Sequence, residues 1–489
     1  MPRSPLAAWF AAILLAAPAL AGDPGPLPLG PEPPKAAPAD GPAAEAPAKP
    51  EFETGKLIAR VVTRHDGAQS YALYLPKAYT PDRKWPILYG FSPAAQGSDP
   101  VKLFMAAAEQ HGWIVAGSNN AQNGPFEPIQ AAIAAMLKDT AARLAVDEQR
   151  RYATGFSGGA RVAFFLATDQ GFAGVIPCGA GMSQGQKAPE KGGKLAVCGL
   201  VGSRDFNYLE MLRLEEGLKN LGLRQRLLVF DGEHRWPGPA LCGAALRYLE
   251  LLARLDAGKA AEKEAGAILE AEQADADKLL EAKGQYLRGY GRFEELARLL
   301  KDAEERKKPV LERIAAIEAT ERYQRERKAQ ADLAAANAEC AKMPGADERF
   351  TKTVEVMTKF AAENAATDAA ESVAGQLRGL AIQLSLGGSQ LHQTGRYAEA
   401  CVYLKRARLL LPKDPGVAYN LACAQARSGE KDLALKTLTE SVELGFNDEA
   451  HLKKDPDLDS LRQAEEYKQV IEKLAALPPD KKKPEPFGP

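Results

Sequence analysis

Neither sign of charge dominates this chain: 63 Lys and Arg stand against 64 Asp and Glu, a formal net charge of −1 over 489 residues. Without a global basic field nothing gathers nucleic acid or anionic lipid, so no nucleic-acid partner is expected. Histidine is scarce, with five in the sequence, which leaves few candidates for a proton-transfer role. The six cysteines, Cys178, Cys198, Cys242, Cys340, Cys401 and Cys423, form no C-x-x-C pair and have no neighbouring histidine. A disulfide-stapled scaffold is excluded, and neither a zinc site nor any cofactor is expected. Their pairing, if any, stays open, and Cys401 and Cys423 read as small buried apolar residues on helix faces. Long apolar runs are missing beyond the N-terminus, so no membrane span is expected in the mature chain. What remains, 45% hydrophobic and 26% charged positions, is globular composition with room for two or three domains.

The apolar run Leu6–Leu20 follows Arg3 and closes on Ala19-Leu20-Ala21, the charged, apolar and small-residue order of a secretory signal peptide. Residues 1–21 are therefore expected to be removed, with export to the periplasm or the extracellular space. Residues 22–52 are mostly Pro, Ala and Gly and too poor in large side chains to build a core, so they read as a disordered linker. Residues 477–489, with Lys481-Lys482-Lys483 among prolines, read as a disordered tail with a solvated charge run.

Across 53–257 apolar runs alternate with helical patterns, the rhythm of a mostly parallel sheet covered by helices. Strands are predicted at Leu57–Thr63, Tyr71–Leu75, Pro86–Phe91, Trp113–Gly117, Tyr152–Phe156, Gly174–Cys178, Leu195–Val201 and Arg226–Phe230. After Ala257 strand signals stop, and apolar residues recur at helical spacing. The stretch 258–383 reads as a helical region, with degenerate hairpins around a turn at Gly291-Arg292-Phe293 or a coiled coil from Pro309 to Lys342 as alternatives. In 384–476 five pairs stand 34 residues apart: Gly388 and Ala422, Gly395 and Gly429, Ala400 and Ala434, Leu404 and Leu438, Ala407 and Ser441. Small residues at such positions let two helices approach while large ones fill the groove. The pattern resembles two tetratricopeptide repeats, Leu384–Leu411 and Ala418–Gly445, with Asp455–Leu474 expected to cap them. A protein or peptide partner through this region is one reading; packing on the rest of the chain is the other.

Gly155-Phe156-Ser157-Gly158-Gly159 fits G-x-S-x-G, directly after the predicted strand Tyr152–Phe156 and directly before a helical run. In a strand-to-helix turn this tight, flanking side chains would collide, and glycines remove the collision. Ser157 is thus the candidate nucleophile, with the Gly158 N–H aimed where an oxyanion would form. A serine needs a base, and in this topology the order is Ser, acid, His. His234, in the loop after the last strand, is the one histidine that follows Ser157 before 257. The loop after the penultimate strand supplies Asp205 to orient it; Asp231 and Glu233 read as solvated turn carboxylates.

With these residues, and with Ile87-Leu88-Tyr89-Gly90-Phe91-Ser92-Pro93 and Ala116-Gly117-Ser118-Asn119-Asn120, the segment Leu57–Leu255 resembles the α/β-hydrolase superfamily. It is similar in particular to secreted carboxylesterases related to polyhydroxybutyrate depolymerases and feruloyl esterases. The resemblance implies ester hydrolysis through an acyl-enzyme, with the backbone N–H of Phe91 or Ser92 completing an oxyanion hole. The His-Gly or Gly-Gly usual in that loop is absent, and Pro93 has no N–H to give. Two other readings are a degenerate hydrolase domain in a repeat-based binding protein and a serine peptidase of the same superfamily.

Overall fold

The computed structural model describes residues 49–476 apart from positions 184, 259–261 and 301–302. The expected signal peptide, nearly all of the linker and the C-terminal tail lie outside the described residues. The chain divides into two compact units, one running to Gln324 and the other from Arg325.

The first unit is built on eight strands: β1 (Leu57–Val62), β2 (Ser70–Tyr74), β3 (Trp85–Phe91), β4 (Ile114–Ser118), β5 (Val146–Phe156), β6 (Gly174–Cys178), β7 (Ala196–Gly202) and β8 (Arg224–Phe230). Their spatial order is β1-β2-β4-β3-β5-β6-β7-β8. β1 and β2 pair antiparallel, β2 meets β4 antiparallel, and from β4 to β8 every pairing is parallel. The crossovers are helices: α1 (Ser98–His111), α2 (Phe126–Arg143), α3 (Gly158–Asp169), α4 (Tyr208–Asn220) and α5 (Pro239–Asp256).

Side chains alternate across a strand, so the two faces of β3 feed two cores. Ile87, Tyr89 and Phe91 pack with Ile133 and Met136 of α2 and Phe164 of α3. Leu88 packs with Val101 and Phe104 of α1 and Leu246 and Leu249 of α5. Two buried carboxylates tie the helices down. Asp139 accepts from the Tyr71 hydroxyl at 2.8 Å and Arg143 at 3.0 Å. Glu250 accepts from the Trp113 indole N–H at 2.7 Å and from Arg150 and Arg254.

Three further helices belong to this unit: α6 (Glu262–Glu281), α7 (Tyr286–Leu299) and α8 (Glu304–Glu318). Ile268, Leu269, Phe293 and Leu296 share a core with Leu251 of α5. Arg226 of β8 pairs with Glu272 of α6 and, at 2.9 Å, with Glu295 of α7. The expected turn at Gly291-Arg292-Phe293 is corrected here, because those residues lie inside α7. The chain reverses earlier, at Gly284, whose φ of +70° suits a glycine. Pro309 lies within α8, and the helix expected to continue to Lys342 is interrupted after Glu318 before α9 (Glu321–Ala341). The Pro309–Lys342 stretch is therefore two helices and not one coiled-coil strand.

The second unit is all-helical: the remainder of α9, then α10 (Ala346–Glu363), α11 (Asp368–Gln393), α12 (Tyr397–Leu410), α13 (Pro415–Ser428), α14 (Lys431–Leu444) and α15 (Glu449–Lys454). A 3-10 helix, Pro456–Leu461, and α16 (Glu465–Ala475) follow. The pairs at 34-residue spacing hold matching places. Gly388 and Ala422 are buried on α11 and α13, Ala400 and Ala434 on α12 and α14. Gly395 and Gly429 sit in the inter-helix turns with φ of +78° and +90°. Leu458, Leu461, Val470 and Leu474 share one core with Tyr419 and Leu438, so Asp455–Leu474 covers the last hairpin.

Candidate active site

β5 ends at Phe156 and α3 starts at Gly158, leaving Ser157 alone to turn the chain. It does so at φ +52°, ψ −121°, one of two non-glycine residues with positive φ among those described. Such a conformation costs about 1–3 kcal/mol and persists only where the surroundings enforce it. Here the Ser157 N–H is held on the Cys178 carbonyl of β6 at 2.9 Å. The flanking glycines are required by contact. A Cβ on Gly155 would stand 2.1 Å from the Gly159 carbonyl oxygen, and one on Gly159 2.2 Å from that of Phe91.

His234, in the loop after β8, places Nε2 2.9 Å from Ser157 Oγ. Its Nδ1 lies 2.9 and 3.0 Å from the two oxygens of Asp205, which is 1% exposed in the loop after β7. A carboxylate can only accept, so Nδ1 carries the proton and Nε2 offers its lone pair to the serine hydroxyl. The two loops are laced together by the backbone. Ser203 N–H donates to Phe230 O and Arg204 N–H to Gly232 O, each at 2.8 Å. Asp231, 83% exposed, pairs with Arg204, and Glu233 is exposed, so neither competes for the imidazole.

Several neighbours were not singled out from sequence. The His234 ring packs against Phe156 and Phe206, with centroids 4.6 and 4.0 Å away, and Trp236 packs on Phe156 at 5.4 Å. The Asn207 N–H donates to Asp205 Oδ1 at 2.8 Å, and the Asn207 carboxamide donates to Gly179 O at 2.7 Å. Phe206 and Asn207 follow Asp205 directly in the chain, a local signal that was available; the Gly179 carbonyl left none.

At the entrance to α3 the Gly158 N–H has no acceptor among the described residues. Phe91 is the last residue of the β3 ladder, opposite Gly155, and Ser92 is the first beyond it. The following loop folds back: Ala95 N–H donates to Ser92 O at 3.0 Å, and Pro93 O accepts from Asn123 N–H at 2.8 Å.

Strand order, the elbow after β5, the aspartate after β7 and the histidine after β8 together define the architecture. The first unit has the α/β-hydrolase fold. No family model matches the chain. A chloroplast protein of Arabidopsis thaliana is 29% identical over 93 residues, 18% of this chain and 27% of that protein. The chain thus spans about a quarter of that relative's length. Solved structures similar to part of the chain include the fluorophosphonate-binding serine hydrolase F of Staphylococcus aureus, substrate bound. It is 14% identical, with a TM-score of 0.33, over 40% of this chain and 99% of the other. An S-formylglutathione hydrolase from the same organism is 12% identical with a TM-score of 0.33, over 41% and 98%. A feruloyl esterase module from Clostridium thermocellum, complexed with sinapinate, is 18% identical with a TM-score of 0.32, over 42% and 92%.

Proposed function

We propose that the protein is an exported serine hydrolase of the carboxylesterase type, working through Ser157, His234 and Asp205. The observation that carries this reading is the unbroken chain from Ser157 Oγ through His234 to Asp205, at 2.9 Å for each link. His234 Nε2 takes the hydroxyl proton as Oγ bonds to the ester carbonyl carbon, and the Asp205 carboxylate stabilises the imidazolium. The Gly158 N–H, with Ser92 or Phe91, stabilises the oxyanion. The imidazolium then gives its proton to the departing alcohol as the carbon–oxygen bond breaks. Water, deprotonated by the same imidazole, bonds to the acyl carbon, and the imidazolium returns that proton to Ser157 Oγ as the acyl carbon–Oγ bond breaks and the acid leaves. No cofactor takes part.

The second unit, with its tetratricopeptide-like hairpins, is the proposed docking module for a protein or peptide partner. Turnover of short-chain p-nitrophenyl esters by wild type, lost in Ser157→Ala, tests the hydrolase reading. Peptidyl-amide turnover exceeding ester turnover would assign a peptidase instead. A folded wild type that turns over neither would favour a degenerate domain serving the repeats.

A further inference from the structure

Away from the proposed catalytic residues, donors from three segments meet in the second unit. Cys423 lies on α13, and Asp455 and Asp457 lie at the start of the 3-10 helix Pro456–Leu461. One ligand atom from each lies within 4.8 Å of the others. His392, in the last turn of α11, brings Nε2 to 2.6 Å from Asp457 Oδ2. Its Nδ1 is buried with no hydrogen-bond partner, so Nε2 is the ring atom engaged with the cluster.

We propose that Cys423, Asp455 and Asp457 bind one divalent transition-metal ion of the zinc type, with His392 holding Asp457 by its hydrogen bond. A thiolate beside the two carboxylates selects such an ion over magnesium or calcium, which take oxygen ligands. Metal–ligand bonds of about 2.0–2.3 Å place neighbouring tetrahedral donors roughly 3.3–3.8 Å apart, so a contraction of about 1 Å brings the three donors onto an ion and leaves the fourth position to water.

The carboxylates are already aimed. Asp455 Oδ1 accepts from the Asp457 N–H at 2.9 Å, and its Oδ2 accepts from the Tyr419 hydroxyl at 2.6 Å and the Cys423 thiol at 3.6 Å. Asp455 Oδ1 keeps a lone pair for a metal and Oδ2 regains one when the Cys423 thiol gives up its proton, and such supporting bonds commonly orient ligating carboxylates. Arg427 approaches Asp457 at 3.5 Å, but through Oδ1, the oxygen opposite the one facing His392. His451 Nε2, 3.6 Å from Asp455 Oδ2 on a half-exposed side chain, stands at the rim. Two carboxylates stand against one guanidinium, and a metal ion would displace the proton of the Cys423 thiol. An ion held here would tie α13 to the 3-10 helix, with α11 joined through the His392–Asp457 hydrogen bond, and stabilise the unit.

The test is Co(II) titration of the full-length, chelator-treated protein, followed by Zn(II) displacement and thermal unfolding. One equivalent of Co(II) is expected to produce a thiolate-to-cobalt charge-transfer band that Zn(II) abolishes, with a raised unfolding temperature. Cys423→Ser should lose the band, Cys401→Ser should keep it, and Asp457→Asn should weaken binding about tenfold or more. Asp457 is partly exposed, with 22% of its side-chain surface accessible, so its variant decides the matter should Cys423→Ser fail to fold. No band in the wild type, or a band of unchanged affinity in Asp457→Asn, overturns the proposal.

Discussion

The Asn207 carboxamide donates to the carbonyl of Gly179 at 2.7 Å, while the Asn207 backbone N–H holds Asp205 Oδ1 at 2.8 Å. One residue therefore fixes the orienting carboxylate and ties its loop to the segment leaving β6. Asn207→Ala keeps the backbone bond and leaves the Gly179 carbonyl without its donor. Losing one such buried partner costs about 1–3 kcal/mol. We expect a lower unfolding temperature and a fall in kcat larger than any change in KM, measured by thermal melts and ester kinetics on the same preparations.

Asp205→Asn should leave the fold in place and reverse the imidazole tautomer, because an amide nitrogen can donate to Nδ1 where the carboxylate only accepts. In serine hydrolases built on this triad the loss is about ten-thousandfold in kcat. Equal ester turnover by wild type and Asp205→Asn would remove Asp205 from the proposed mechanism.

Gly159→Ala places a methyl group 2.2 Å from the Phe91 carbonyl oxygen, a backbone atom that cannot swing aside. Overpacking of this kind typically costs about 1–3 kcal/mol. The strain falls on the end of β3 and the first turn of α3, so activity is expected to drop more steeply than stability. Ester kinetics alongside circular-dichroism melts separate the two effects.

Burial alone would raise the Glu250 carboxyl, but Arg150, the Trp113 indole N–H and Arg254 outweigh it and hold the group below its ordinary value of 4.5. A carboxyl whose folded pKa is depressed contributes stability that is present above 4.5 and is lost as the pH falls below that value towards the folded pKa. Glu250→Gln should be less stable than wild type at pH 7 yet show a shallower loss below pH 4.5. Parallel acid limbs for the two proteins, followed by thermal melts across the pH range, would contradict this.

Most strands of the sheet were legible because they are short apolar runs between turn signals. β5 was not read in full. Its first half, Val146–Arg151, is charged and its register against β3 is irregular, so tertiary pairing rather than local pattern makes it a strand. Gly291 was misread as a turn because it shares a Gly-Arg-aromatic triplet with Gly395, while the actual reversal uses Gly284. Within the candidate site, Ser157 was marked by glycines that the tight turn requires, His234 by the scarcity of histidine, and Asp205 by loop order. The aromatic walls, Phe156 and Phe206, carry no pattern that separates them from core residues. Cys423 and Asp455 lie 32 residues apart in the chain, and only the folding back of the 3-10 helix onto α13 brings them together.

The central claim is that Ser157 is a nucleophile activated by His234. Incubation of the protein with a fluorophosphonate probe, followed by peptide mass mapping, tests it most directly. The account predicts a single adduct on Ser157 in the wild type, slow labelling in His234→Ala and none in Ser157→Ala. A folded wild type that takes up no probe, or a Ser157→Ala variant labelled as fast as wild type, would contradict it.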